Sequence, residues 1–400
     1  IDWSTPALAA VGKMPERATT RELMVALIDE LLGVNTYPAH LMAGRLYANV
    51  VRKDLFGAAV PPTVFNVQAN LIASGMMADM GYSMHEYAQI EGFINHELDY
   101  FCPEYSLRWI TEKYAIRNYI TGQVFETPQF VYMRMAMELA RSGDVEGRVQ
   151  RVRRFYNVLS GKKLSAPTPN YLYLGTKHRG FASCCVYTAA DTVESLAIGN
   201  HIAFMMTANS AGLGSFINTR TVGDPIDGGR VKHGGKYRYL KCTATDTIAN
   251  KQAARSGAGT TSIMCFDPEI IDVLQYRNPM MPEDKQNRDL HYSMLYNRFF
   301  ARKVAANEDI FTFTQFSAPD LFEAFFLGQP ELFAQLYAKY EADVTFVKQY
   351  VSARKIVKFM FAEAFNTGTS YNANIDEIAI HTPFKIEPGH VIHCANLCQE

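Results

Sequence analysis

The stretch Thr261-Ser262-Ile263-Met264-Cys265-Phe266-Asp267-Pro268-Glu269 decides the fold class. Its first six residues are β-rich, and Asp267-Pro268-Glu269 reads as a helix start with proline in the first turn. The same rhythm continues downstream. His291 to Asn297 and Asp309 to Thr314 are strand-like, each followed by an amphipathic run, and a helical Val357 to Phe365 leads into an extended Thr369 to Asn372. Strands alternating with helical patterns predict parallel strands with covering helices. Period alone does not separate an open sheet from a barrel.

Upstream the pattern changes. Residues 1 to about 160 read as helical. Thr19 and Glu22 stand at capping-box spacing, Leu23, Leu27 and Leu31 follow at steps of four, and Gly33 closes the run. Similar periods fill 38–56, 84–102 and 127–160, and Pro167-Thr168-Pro169-Asn170 breaks them. The expected organisation is a helical domain over 1–160 and an α/β domain over 161–400.

Composition narrows the function classes. Charged residues make up 20% of the chain and apolar ones 48%, as in ordinary globular proteins. A net charge of -1 gives no long-range attraction to nucleic acid or to an anionic membrane, so neither DNA nor a membrane is an expected partner. No apolar run approaches the roughly 20 residues of a membrane span, and the first twenty residues lack the layout of a secretory signal. Seven cysteines in 400 residues, two of them adjacent, do not form a disulfide framework. A reducing cytoplasm, that of a host if the chain is viral, is the expected compartment.

The chemistry-bearing segment is Cys394-Ala395-Asn396-Leu397-Cys398-Gln399-Glu400. Two thiols four apart make at most half a zinc site, and no second Cys or His pair stands at a usual spacing, so no metal is expected here. Asn396 and Glu400 stand two residues either side of Cys398, which in an extended or looped segment puts three polar side chains on one side. A thiol, an amide and a carboxylate converging on a sugar suit radical chemistry, in which a thiyl abstracts hydrogen and the carboxylate takes a hydroxyl proton.

Asn396-Leu397-Cys398-Gln399-Glu400 resembles the finger-loop motif of ribonucleotide reductase large subunits, in particular class I. The resemblance implies that Cys398 carries a transient thiyl radical that takes the 3′ hydrogen, with Glu400 as base for the 3′ hydroxyl and Asn396 hydrogen-bonded to the ribose. Phe181-Ala182-Ser183-Cys184 resembles a second family motif, whose cysteine protonates the departing 2′ hydroxyl and supplies half of a reducing dithiol. Ser183 is then a substrate contact. Cys185 departs from the family pattern. Cys184 is preferred because Thr168 lies 16 positions earlier, as the family's substrate-contacting threonine does. A third resemblance is regulatory. Asp191, beside Glu194 at what reads as a helix start, matches the residue that binds the ribose of a deoxynucleoside triphosphate effector. Ala211-Gly212-Leu213-Gly214 precedes the first effector loop, where Arg220 pairs with triphosphate. Lys251-Gln252-Ala253-Ala254-Arg255-Ser256-Gly257 resembles the second loop, with Gln252 and Arg255 as its contacts. Gly122 to Phe130 also follows the family in the helical part.

The resemblance implies a helical domain followed by the first half of a ten-stranded α/β barrel, with the other half supplied by a separate C-terminal chain or segment. No ATP-binding cone of the family's kind is expected before residue 20. Implied partners are a small radical-generating subunit with an iron or manganese pair, a ribonucleotide substrate, a deoxynucleoside triphosphate effector, a thioredoxin or glutaredoxin system, and a second copy docked through the effector-site helices. No cofactor is expected on this chain beyond Mg accompanying bound nucleotides. Half a barrel is expected to leave strand edges open and the faces of Ile263-Met264-Cys265-Phe266 and Ser293-Met294-Leu295 partly wet. Other radical-barrel enzymes, adenosylcobalamin-dependent or glycyl-radical, and a non-catalytic nucleotide-binding fragment are the alternatives.

Overall fold

The computed structural model describes residues 3–178, 180–250 and 257–399, in two compact units, 1–182 and 183–400. The first unit is helical: α1 (Ser4–Gly12), α2 (Thr20–Gly33), α3 (Tyr37–Phe56), α4 (Val64–Ala73), α5 (Met84–Glu91), α6 (Glu104–Trp109), α7 (Pro128–Ala140), α8 (Arg148–Ser160) and α9 (Thr168–Tyr173). The Thr19/Glu22 capping box opens α2 as expected, with the Thr19 side chain accepting from the Glu22 amide. Two corrections apply. The period over 84–102 is shared between α5 and a short 3-10 segment, His96–Phe101. The Pro167–Asn170 stretch does not only end a helical pattern; Pro169 sits in the first turn of α9, where its missing N–H costs nothing.

Helix α7 is buried on nearly every side, from Pro128 to Met137, as befits a central helix rather than an amphipathic one. Its Arg134 is fully buried and would be untenable unpaired. Nε donates to Glu126 Oε1 at 2.8 Å, and Nη2 donates to Glu126 Oε2 at 3.2 Å and to the Tyr171 carbonyl at 3.0 Å. Nη1 donates to the Leu174 carbonyl. Glu126 also accepts from the Ile116 amide at 2.8 Å. One ion pair thus ties α7 to the end of α9 and to the chain ahead of it.

The second unit is built on a five-stranded sheet in the order β1 (Cys184–Ala189), β2 (Gly212–Ile217), β5 (Gly259–Met264), β6 (His291–Tyr296), β9 (Ser370–Asn374), with every pairing parallel. Between these strands run α10 (Val193–Ala208), the two-residue strands β3 (Pro225–Ile226) and β4 (Val231–Lys232), α11 (Tyr237–Ala249), α12 (Ile270–Gln275) and α13 (Arg298–Ala306). Then come β7 (Asp309–Thr312), α14 (Pro319–Phe326), α15 (Pro330–Ala342), β8 (Gln349–Ser352) and α16 (Ala353–Thr367), and α17 (Ile375–His381) follows the sheet. This is the expected helical region followed by a partial, unclosed α/β barrel.

One strand departs from the expected rhythm. β7 pairs antiparallel with β8, outside the main sheet. Its Phe311 stands opposite Tyr350 of β8 and stacks on Tyr337 of α15 at 4.0 Å. The faces expected to be wet are also dry: Ile263 to Phe266 and Ser293 to Leu295 are all 5% exposed or less. Helices cover one face of the sheet, and the segment 391–399 returns over the other.

Arg134→Met should lower stability by about 3–5 kcal/mol, because Glu126 would keep a buried charge with no counter-ion. Chemical denaturation followed by circular dichroism reads this. A change below about 1 kcal/mol would mean that water reaches Glu126.

Candidate active site

The register of the sheet sorts the side chains between its faces. Tyr187, Ser215, Thr261, Tyr292 and Ser370 are aligned across the sheet and share a face, as do residues two positions away on each strand. This face meets the helices. A Cβ on Gly199 of α10 would stand 3.1 Å from the Ala189 Cβ and 3.2 Å from Tyr187 Cε2, so helix and strand touch through a missing side chain. Cys185 points the same way, with its sulfur 3.9 Å from the Met206 sulfur of α10. Burial, with Cys184 beside it, raises the Cys185 thiol pKa.

The opposite face carries Cys184, Gly214, Phe216, Thr260, Ser293 and Tyr371. The segment 391–399 lies on it. His393 stacks on Phe216 at 5.4 Å. Next, the backbone of Ala395 and Asn396 settles onto Gly214, where a Cβ would stand 2.1 Å from the Ala395 carbonyl oxygen and 2.6 Å from the Asn396 Cα. Buried Thr260 then donates to the Leu397 carbonyl at 2.8 Å, and Ser293 Oγ donates to Gln399 Oε1 at 2.8 Å. The loop therefore crosses β2, β5 and β6 in turn. Cys398 stands between its two hydrogen-bonded anchors and is exposed. Cys394 is buried, and burial pushes its thiol up to about 12, which keeps it protonated and unreactive.

Asn396 to Gln399 is a tight turn, with the Gln399 amide donating to the Asn396 carbonyl at 3.2 Å and Gln399 at φ +67°. Of the extended and looped forms expected around Cys398, the chain takes the looped one. Glu400 lies outside the described residues, as do Gln252 and Arg255. Ser183 is half-buried at the head of β1, and its carbonyl accepts from the Gly212 amide at 2.7 Å. Thr168, in the first unit, opens α9; its hydroxyl is 3.2 Å from the Tyr114 hydroxyl, and the Tyr114 ring stacks on Tyr171 at 4.7 Å.

Asp191 and Arg220 come together, with Arg220 Nε donating to Asp191 Oδ2 at 2.9 Å. The Arg220 guanidinium also lies 4.0 Å over the Phe316 ring, and its Nη1 donates to the Pro225 carbonyl. The expected helix start needs correction, because Thr192, not Asp191, caps α10, its side chain accepting from the Ser195 amide at 3.1 Å. That leaves the Asp191 carboxylate to its ion pair. Sequence reasoning missed Gly214, Thr260, Ser293 and Phe316. Gly214 had a signal, a glycine inside an apolar strand, which marks close backbone approach. The others had none, since hydroxyls and a phenyl ring at these positions read as ordinary strand and loop residues.

The helical first unit, the unclosed parallel sheet of the second and a cysteine-bearing loop lying on that sheet define a helical domain followed by a partial α/β barrel. A family model described as ribonucleotide reductase, barrel domain, matches residues 182–400, and one described as ribonucleotide reductase, all-alpha domain, matches 100–179. The chain belongs to the ribonucleotide reductase large-subunit family. It is 30% identical over 390 residues to ribonucleoside-diphosphate reductase 1 subunit alpha of Escherichia coli (strain K12), covering 95% of this chain and 50% of that protein. It is 28% identical over 388 residues to the Haemophilus influenzae subunit alpha, again 95% and 50%. With the subunit alpha of Enterobacteria phage T4 it shares 28% over 365 residues, 90% of this chain and 48% of that one. The chain thus spans about half the length of these relatives.

Gly214→Val should displace the loop, because no rotamer moves a Cβ away from the Ala395 carbonyl. The amides of 395–399 should exchange with solvent much faster than in the parent, while the helix-covered face keeps its protection. Unchanged exchange at 395–399 would show that the loop is held without this contact.

Proposed function

We propose that this chain supplies the radical-bearing loop and half of the catalytic barrel for the reduction of ribonucleoside diphosphates to deoxyribonucleotides. The observation that carries the reading is the sorting of thiols. Cys184 stands on the face crossed by the loop of Cys398, whereas Cys185 faces Met206 and the helices. In the proposed reaction a thiyl at Cys398 takes the 3′ hydrogen, Glu400 takes the 3′ hydroxyl proton, and Asn396 orients the hydroxyls. Cys184 protonates the departing 2′ hydroxyl, which leaves as water. Cys184 and a second thiol, supplied by the remaining part of the barrel, then give two electrons and become a disulfide, the second thiol's hydrogen goes to C2′, Glu400 returns its proton to the 3′ oxygen, and the 3′ hydrogen returns from Cys398. Thr168 and Ser183 contact the substrate.

The rest of the assembly belongs to the same proposal. The remaining half of the barrel comes from a C-terminal complement, the radical from a small subunit with an iron or manganese pair, and the re-reduction of the disulfide from a thioredoxin or glutaredoxin system. Mg enters with nucleotide phosphates. A deoxynucleoside triphosphate bound at Asp191 and Arg220, and read through the loop of Gln252 and Arg255, selects the substrate, at a site near the helices that pair two copies. The compartment is the cytoplasm. Among the described residues no helix is long and apolar enough to cross a membrane.

With the complete catalytic subunit and its radical partner, Cys398→Ser should abolish reduction while substrate still binds, because an oxygen-centred radical is not an accessible substitute for a thiyl. Turnover above background in that variant would end the assignment. Cys184→Ser should lose multiple turnovers, while Cys185→Val retains most of them; the reverse ranking would move the redox role to Cys185. Asp191→Ala should weaken effector binding about tenfold, the scale of one lost hydrogen bond to a charged group.

A further inference from the structure

Arg220 stands in a segment pinned on both sides by buried ionic groups. On its N-terminal side, Lys236 Nζ donates to the Thr219 carbonyl at 2.6 Å and lies 3.3 Å from the Thr219 hydroxyl, while pairing with Asp267 Oδ2 at 3.1 Å. On its C-terminal side, Glu269 Oε1 accepts from the Thr221 hydroxyl at 2.9 Å and from the Val222 amide at 3.2 Å. Glu269 Oε2 accepts from the Lys236 amide at 3.0 Å, which joins the two clamps. The Glu269 amide in turn donates to Asp267 Oδ1 at 2.9 Å. Lys236, Asp267 and Glu269 are all buried.

The packing is built around this carboxylate. A Cβ on Gly235 would stand 2.8 Å from Glu269 Oε2 and 2.6 Å from the Val222 side chain, and Gly235 has φ +91°, a conformation that disfavours any side chain. Buried charges held by three donors at good geometry are rigid, because moving any partner leaves a charge without solvation. Glu269 and Lys236 hold Thr219, Thr221 and Val222, and so fix the backbone that aims the Arg220 guanidinium.

We propose that Glu269, with Lys236, is a positioning residue that pre-organises Arg220 for capture of an effector triphosphate, so that it sets effector affinity without contacting the effector. The inference rests on the reading of Asp191 and Arg220 as the effector site. Pre-organisation matters because an anion that must first order a loop loses the ordering free energy from its binding. Replacing Glu269 by glutamine keeps the volume but turns one accepting oxygen into an amide that faces backbone or hydroxyl donors.

The test uses the complete subunit with thymidine triphosphate as probe. In Glu269→Gln, hydrogen exchange at Thr221, Val222 and Lys236 should accelerate, and the probe's dissociation constant should rise about tenfold, the scale of one lost hydrogen bond to a charged group. Thr221→Val, a milder change that removes one donor, should shift both readouts less and in the same direction. In an Arg220→Ala background Glu269→Gln should cost no further affinity, which a merely structural role would not predict. Full additivity of the two substitutions, or unchanged binding in Glu269→Gln while Asp191→Ala weakens it, overturns the inference and leaves the effector reading intact. Unchanged binding in Asp191→Ala and Arg220→Ala overturns the effector reading, and this inference with it.

Discussion

Backbone lying directly on backbone at Gly214 is the constraint on which the open face of the sheet depends. Ala395 and Asn396 approach β2 more closely than any side chain would allow. That approach brings the Leu397 carbonyl down to Thr260 and Gln399 to Ser293, so the loop's polar groups are satisfied by hydroxyls of the sheet rather than by water. The same descent carries His393 onto Phe216 and seals Cys394 beneath the chain. Cys398 is left as the exposed thiol of a turn with hydrogen-bonded residues on both sides. Positional precision at a reactive sulfur follows from anchoring its neighbours, not from burying the sulfur itself.

The fold was legible wherever a local signal and a tertiary choice coincided. The Thr19/Glu22 capping box lies where the sequence puts it, whereas the strand read at Thr261–Phe266 runs over Gly259–Met264 and the helix read from Pro268 starts at Ile270, because capping acts within a few residues while strand ends are set by pairing. Partner choice was not legible. Asp309 to Thr312 reads as one more strand of the rhythm, yet it pairs with β8 while Phe311 packs on Tyr337 of α15, a partner no local signal names. The dryness of Ile263 to Phe266 and Ser293 to Leu295 was missed for a related reason. Nothing in those residues tells what will cover them: Phe266 packs on Phe299, Phe300 and Phe325 of later helices, and Ser293 bonds Gln399 of the returning loop.

At the candidate site, residue types were readable and geometry was not. Asn396-Leu397-Cys398-Gln399 carries no glycine or proline to mark a turn, and Gln399 takes its positive φ without one. Asp191 read as a helix cap because aspartate is common there. Thr192 takes that role and leaves the carboxylate to Arg220. An ion pair 29 positions apart in sequence has no local signature, so only the fold could bring it to view.

Adjacent residues of a strand must point to opposite faces, and this turns the Cys184-Cys185 pair from an ambiguity into a division. Cys185 meets a methionine sulfur and helix side chains, where burial raises its pKa and suppresses thiolate. Cys265, entirely buried, is pushed well above the usual thiol range for the same reason, and Cys394 to about 12. Cys184 shares the face over which the 391–399 loop passes, and Cys398 is exposed within that loop. Three of these five thiols are thus protected by desolvation, and the two on the open face are those whose sequence neighbourhoods resemble reactive motifs. Neither spacing nor composition separates these groups. The parity of the strand and the path of one loop do.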